Sequence, residues 1–486
     1  MSIPTDYISD LLNELSQGRL DNLITQADAR RILQEVKEIP ENYPDFDPLL
    51  TEKATHIAYA LLSCGCSLME KSNSNFTATE SLSILEKAGK LLSDVYKYND
   101  DEFDSKDYNL LISGMALYAA KQYSRAFIVL NNVNLDFVVG QIVIQFIKKD
   151  FNSLLQNVNQ VFFEPPNELS DIQSLDEWVI SHEIARIFLM VVDFVQTGNQ
   201  SNFVSIDNIF DKLLSIATES NLISYWLIVR LLKIILSTFQ EASLWTILPP
   251  LLPVQHIAEN YIRLLSGFKP AITELWPSQT TAIPLAVGEN NGGVINLRTS
   301  GGKTRVAEIA ILNTLSKHIV SKTLYLAPFR SLAFEVEQSL SKTFAPLGIT
   351  VSQLYGGSTA NVTDFELIKQ SQVIVATPEK AKALIRCGSG LETELKLIVI
   401  DEGHLLGAEE RYIKNEIFLT HINEFASRNQ IKMLLLSAVL PNANELADWV
   451  AADTSLVAKS EWKPALERLG LLLWDGNRVR LEWESE

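Results

Sequence analysis

Two textures of apolar spacing divide the chain. Through the first 270 residues, apolar positions recur every three or four residues, the period of an amphipathic helix, and strict alternation is scarce. The pattern predicts helices over about 77–96, 138–162, 173–196, 206–218, 222–240 and 255–266. Thr77-Ala78-Thr79-Glu80 is a capping-box sequence at the head of the first of these. The acidic, polar stretch 99–105 reads as a loop. Pro249, Pro250 and Pro253 end a helix, because proline lacks the N–H and crowds the preceding turn. The expected boundary lies at Phe268-Lys269-Pro270.

Beyond it the period changes. Short apolar runs appear: VINL (294–297), TLYLAP (323–328), VIVATP (373–378), LKLIVID (395–401) and KMLLLSA (432–438). Each is followed by a turn and a helical segment. Strands alternating with helices imply a mostly parallel sheet covered on both faces. Such sheets carry their sites at the carboxyl ends of the strands. The expected architecture is an all-helical domain over 1–268, an α/β domain over 269–455 and an exit segment over 456–486. Within the helical part, GMALYAAKQYSRAFIVL (114–130) resembles a tetratricopeptide hairpin, with Gly114, Leu117, Tyr118, Tyr123 and Ala126 at its small and aromatic positions. One such copy leaves two readings, a degenerate solenoid and a plain helical bundle.

Charge separates the halves further. The chain of 486 residues carries a net −18. Residues 271–486 hold 21 Lys and Arg against 25 Asp and Glu, a net −4, which leaves −14 on the first 270. That acidic half is a poor match for a phosphate backbone and a better one for a protein partner. Three cysteines cannot build a disulfide framework, which suits a reducing compartment. Cys64 and Cys66 lie in an apolar helical stretch and read as core. The start MSIPTDYISD lacks a signal-peptide pattern. The most apolar window, 222–236, contains Arg230 and Lys233 and is short for a membrane span, so it reads as a buried helix. The expectation is a cytoplasmic protein without a membrane segment.

Two motifs carry chemistry. Thr299-Ser300-Gly301-Gly302-Lys303-Thr304 follows the run VINL and opens the helical segment RVAEIAIL. Glycines let backbone N–H groups curl around phosphates, Lys303 would reach the β and γ phosphates, and the Thr304 hydroxyl would bind Mg²⁺. Leu297 stands where the usual phosphate-loop pattern has its first glycine. Asp401-Glu402-Gly403-His404 ends the run LKLIVI. Two adjacent carboxylates at a buried strand end repel each other, which disfavours a purely structural role. Asp401 is assigned to Mg²⁺ and Glu402 to the attacking water. His404 is a candidate for coupling, against plain local hydrogen bonding. ATP and Mg²⁺ are the expected ligands.

DEGH resembles the DExH variant of the DEAD/DEAH-box motif of superfamily 2 helicases, and the other segments agree in order. The resemblance implies a RecA-like, P-loop α/β domain. Trp276-Pro277-Ser278-Gln279 is similar to the segment ahead of the first strand in Ski-like helicases, which implies that Gln279 reads the adenine edge. The resemblance gives nucleic-acid contacts to Arg330 (in APFRSLA), to Gly356 and Gly357, and to Thr377 and Lys380 (in TPEK). Ser437 and Ala438 stand in a coupling motif whose third member is Val439 here instead of threonine. Ser460-Glu461-Trp462-Lys463-Pro464 resembles the exit from a first motor domain.

Such motors use a second RecA-like domain that supplies arginines, and the 36 residues after Val450 are too few for one. The expectation is therefore a piece of a larger machine with little turnover alone, the alternative being a partner domain on another chain. A large helical domain ahead of a Ski-like motor also resembles bacterial antiphage helicases of the Hachiman type. The leading reading is an ATP-dependent DNA or RNA helicase or translocase in antiviral defence. Its rivals are a nucleotide-gated, protein-binding regulatory module and a P-loop ATPase acting on protein.

Overall fold

The structure is a computed structural model. It describes residues 8–10, 12–13, 18–36, 46–70, 78–97, 105–131, 133–163, 172–318, 320–354, 359–387, 391–403, 410–438, 440–463, 470–474 and 479–483. Its contacts form two compact units. One holds Met1–Gln240, Lys269–Ala271 and Pro464–Glu486, and the other holds Glu241–Phe268 and Ile272–Lys463.

Among the described residues up to 240, the first unit is helical, and successive helices pack on one another. Leu50–Met69, Ala78–Tyr96, Lys106–Ala119 and Tyr123–Leu130 form such a series. Small residues set its spacing: a Cβ on Gly114 would lie 2.4 Å from Leu130 Cγ, and one on Gly89 would lie 2.8 Å from Leu117 Cγ. The segment 114–130 falls on two packed helices, Lys106–Ala119 and Tyr123–Leu130, an arrangement common to a solenoid and a bundle. Tyr118 and Tyr123 meet edge to face at 5.0 Å, and Ala126 is buried. The apolar window belongs to the helix Ile223–Ala242, which is long and apolar enough to cross a membrane by length and composition alone. Its Arg230 is buried and forks onto both oxygens of Glu70 at 2.8 Å, as expected of a charge held in a protein core.

In the second unit, seven strands form one parallel sheet in the order β3-β4-β2-β5-β6-β1-β7. They are β1 (Gly292–Asn296), β2 (Lys322–Leu326), β3 (Val351–Gln353), β4 (Val373–Ala376), β5 (Leu395–Ile400), β6 (Lys432–Ser437) and β7 (Val457–Lys459). All five apolar runs became strands, and their residues are almost wholly buried, as helices on both faces require. Register then fixes function. Leu326 pairs with Ala376 and with Ile400, Ile400 pairs with Leu435, and Asn296 pairs with Ser437. The carboxyl ends of β1, β2, β4, β5 and β6 therefore share one edge.

Two features differ from the sequence expectation. Residues 241–268 group with the α/β unit rather than ending the helical one. Hydrogen bonds from Leu244 N to Thr273 O (3.0 Å) and from Leu275 N to Ala242 O (2.8 Å) tie that segment to residues 272–276, which lead into the α/β unit. The exit region also contains an antiparallel hairpin, β8 (Gly470–Trp474) and β9 (Val479–Trp483). Its signal was the Asp475-Gly476 dipeptide between two apolar runs.

Candidate functional site

β1 ends at Asn296, and Leu297 is the first residue of the loop that follows. Leu297 is fully buried and donates its N–H to Ser437 O at 3.0 Å. A side chain at this place, where phosphate loops have glycine, thus packs into the sheet instead of facing the loop's concave side. Thr299 and Ser300 are exposed, and Ser300 and Gly302 take left-handed φ of 63° and 79°. The helix Lys303–Lys317 starts immediately after Gly302. A side chain at 302 is disfavoured twice: φ lies in the left-handed region, and a Cβ would sit 2.1 Å from Gln279 Nε2 and displace that amide.

The loop is held from behind by its entry segment. Ser278 Oγ donates to Gly301 O at 2.8 Å, and Gln279 Nε2 donates to Gly302 O at 3.3 Å. Gln279 Oε1 in turn accepts from Trp276 N at 2.8 Å. With these carbonyls satisfied behind the loop, the positive end of the helix faces outward, a ready anion site. Lys303 and Thr304, half-buried, open that helix.

β5 delivers the acids to the same edge. Asp401 N donates to Leu326 O at 2.9 Å, which locks the turn to β2. Asp401 Oδ2 accepts the Tyr325 hydroxyl at 2.8 Å, and Oδ1 accepts Glu402 N at 2.9 Å. Burial raises the Asp401 carboxyl above its ordinary value, and the neighbouring Glu402 adds to the shift. The Tyr325 hydrogen bond and Lys303 oppose it. Glu402 has a left-handed φ of 51°, and its Oε1 lies 3.7 Å from Lys303 Nζ. A cleft of about 30 Å³, room for one water, runs beside Asp401, Glu402, Pro328 and Pro378.

This donor set fits Mg²⁺. The Asp401 carboxylate, penalised by burial, lies within electrostatic reach of Lys303, and the next residue of that helix, Thr304, bears a hydroxyl. Among the described residues no group of three or more His, Cys, Asp or Glu could hold a metal. Nucleotide phosphates would complete the oxygen shell around Thr304 and Asp401, as Mg²⁺ prefers.

The remaining candidates divide. Arg330 is exposed at the start of the helix Arg330–Phe344, on the shared edge beyond β2. Thr377 is buried and begins the helix Pro378–Arg386, taking Ala381 N on its carbonyl. Ser437 is buried, with its carbonyl on Leu297, and Ala438 is half-buried beside it. Gly356, Gly357, His404 and Val439 lie outside the described residues. Lys380 requires correction: it is 1% exposed, ion-paired to Asp364 Oδ2 at 2.6 Å, and bonded to Thr359 O at 3.0 Å. Its ammonium braces the segment ahead of the helix Val362–Gln370 and has no face toward a nucleic-acid phosphate. Sequence reasoning also missed Ser278, Tyr325 and Asp364. Ser278 adjoins Gln279 in the sequence, but its bond to Gly301 spans 23 residues and appears only in the fold. The other two depend on cross-strand and cross-helix register.

Two predictions follow from these burial patterns. Lys380→Ala leaves the Asp364 charge buried and should cost about 3–5 kcal/mol in chemical denaturation. Joint replacement by Lys380→Met and Asp364→Leu should recover most of it. A stable Lys380→Ala protein with weakened nucleic-acid binding would reverse the correction. Asp401→Asn keeps the Tyr325 hydrogen bond and removes the penalised charge. It should stabilise the nucleotide-free fold by on the order of 1 kcal/mol while weakening Mg²⁺–nucleotide binding, and a lower melting temperature would contradict this.

Known proteins resemble the segment that holds the site. A DEAD/DEAH box helicase family model matches residues 276–446. The Hachiman protein HamB of Bacillus cereus is 36% identical over 468 residues, which is 96% of this chain and 41% of that protein. The ATP-dependent DNA helicase Hel308 of Thermococcus kodakarensis is 36% identical over 222 residues, 44% of this chain and 19% of that protein. The chain therefore spans well under half the length of these relatives. Among solved structures, the DEAD-box helicase Mss116 bound to single-stranded RNA covers 44% of each chain at 23% identity, with a TM-score of 0.37. Residues 276–446, which hold the phosphate loop and the Asp401-Glu402 pair, match the DEAD/DEAH box helicase family, and Hel308 and the Hachiman protein HamB are among the relatives of this chain.

Proposed function

We propose that this chain supplies the nucleotide-binding lobe of an ATP-dependent helicase or translocase acting on DNA or RNA in antiphage defence. The observation that carries the reading is the convergence of Lys303, Thr304, Asp401 and Glu402 on one sheet edge, with Lys303 Nζ 3.7 Å from Glu402 Oε1. Two relatives support different parts of it: Hel308, an ATP-dependent DNA helicase, supports ATP-driven work on DNA, and similarity to the Hachiman protein HamB supports the resemblance to Hachiman-type antiphage helicases drawn from the sequence.

In this reading the helix start at Lys303 takes the β and γ phosphates, and the Lys303 ammonium leaves Glu402 to join them. Mg²⁺ held by Thr304 and Asp401 would neutralise phosphate charge. Glu402, released from Lys303, orients the attacking water and accepts its proton. Gln279, now bound to Gly302, reads the adenine edge, so base recognition and loop position draw on one side-chain amide. Arg330 contacts the backbone of a nucleic-acid strand on the same sheet edge, a contact without base information. A second RecA-like domain closes the cleft and contributes the arginines. The acidic helical unit meets a protein partner, and the setting is cytoplasmic.

Glu402→Gln should keep Mg²⁺–ATP binding and lower turnover by at least about a hundredfold. Unchanged turnover would remove Glu402 from the chemistry, and an unaltered protein with no turnover to lose would favour a nucleotide-gated module. Arg330→Ala should weaken binding of fluorescent single-stranded DNA or RNA and flatten its salt dependence. Insensitivity to that change would favour an ATPase acting on protein.

A further inference from the structure

The helix that carries the phosphate loop's lysine is anchored at a buried polar cluster that the proposed chemistry does not use. Glu308 lies on that helix, 2% exposed, among apolar neighbours. Tyr261, from the helix Gln255–Ser266 and fully buried, donates its hydroxyl to Glu308 Oε2 at 3.1 Å. Arg305, directly after Thr304, ion-pairs with the same oxygen and donates to the Tyr261 hydroxyl oxygen at 3.2 Å. The Thr343 side chain, near the end of the helix that begins at Arg330, lies against Glu308, with its hydroxyl donating to Ser339 O at 3.4 Å. One carboxylate thus joins three helices: the one that starts at Lys303, the one that starts at Arg330, and one that precedes the family-matched region entirely.

The physical setting makes this junction stiff. A charge this deeply buried is tolerated only when every partner is in place, and removing one partner leaves the others unmatched at high cost. Arg305 sits in the first turn of its helix, where the helix's own positive end disfavours a cation. Its guanidinium therefore stays back only while Glu308 and the Tyr261 oxygen hold it. A further contact runs between the same outer elements, with Lys342 Nζ 4.8 Å from the ring centre of Phe268.

We propose that Tyr261, Arg305 and Glu308 form a positioning node that sets the first turn of the phosphate-loop helix, making the helix Gln255–Ser266 a working part of the nucleotide site. The node does not touch nucleotide. It holds Arg305 away from the phosphates, fixes the direction of Lys303 and Thr304, and ties both to the helix whose first residue is Arg330. Movement of the helix Gln255–Ser266 would reach the nucleotide and strand contacts through Glu308 together. The binding consequence rests on the nucleotide-site reading proposed above, whereas the mechanical one does not.

The test uses the full 486-residue chain and three variants. Tyr261→Phe removes one hydroxyl and keeps the ring. Glu308→Gln keeps the shape and the acceptor but not the charge. Ile262→Val trims the same helix in the core without touching the node. Two readouts are taken: affinity for a fluorescent ATP analogue with Mg²⁺, and amide hydrogen exchange over residues 299–308. Tyr261→Phe and Glu308→Gln should each weaken the analogue by about tenfold and speed exchange in that first turn. Ile262→Val should lower the melting temperature with neither effect. Equal effects of all three on both readouts, or unchanged exchange in Tyr261→Phe and Glu308→Gln, would overturn the node. Failure of the unaltered chain to bind the analogue would count against the nucleotide-site reading instead, and the exchange measurement would still decide the node.

Discussion

Parallel register in the seven-stranded sheet is the constraint on which the site depends. Because β1, β2, β4, β5 and β6 all run the same way and end level, the residue after each strand emerges on one edge. Asp401 is fixed to Leu326 and Gly403 to Leu436 by backbone hydrogen bonds of 2.9 Å, so the acidic turn takes its position from the strands on either side. A slip of one residue in β5 would turn every side chain to the opposite face and carry Asp401 and Glu402 off the positions that Leu326 and Leu436 fix. The apolar runs that look like mere core are what place the chemistry.

That placement is opposed by the charges it collects. Asp401 is pushed toward neutrality by burial, and Glu402 compounds it. Lys303 and the Tyr325 hydroxyl offset part of this cost. The structure thus holds a site that a divalent cation and a polyanion would complete, which is the expected trade of stability for function. Behind the loop, Ser278, Gln279 and the Tyr261–Arg305–Glu308 cluster carry the rigidity, while the loop itself supplies backbone and a single ammonium.

Much of this was legible in the residues. The switch from helical period to short apolar runs near residue 270 marked the α/β unit, and each run became a strand. GGKT and DEGH were readable because glycine before a helix, and paired carboxylates after a buried strand, have few other uses. Lys380 was misread because a lysine two residues beyond a strand-end Thr-Pro looks exposed. Only the fold shows that Asp364, sixteen positions earlier, reaches it. Tyr261, Arg305 and Glu308 were illegible for the same reason: 44 and 47 residues separate Tyr261 from its partners, and no local period records the match. The placement of 241–268 likewise follows from packing, since a helix carries no mark of which core it will join.

The central claim is that Lys303, Thr304, Asp401 and Glu402 form one Mg²⁺–nucleotide site. Isothermal titration of ATP into the full chain, with Mg²⁺ and with Mg²⁺ chelated, tests it most directly, using Lys303→Ala as the comparison. The account predicts one site per chain that tightens with Mg²⁺ and is lost in Lys303→Ala. Binding that ignores both the cation and the lysine, or no binding under any of these conditions, would contradict it.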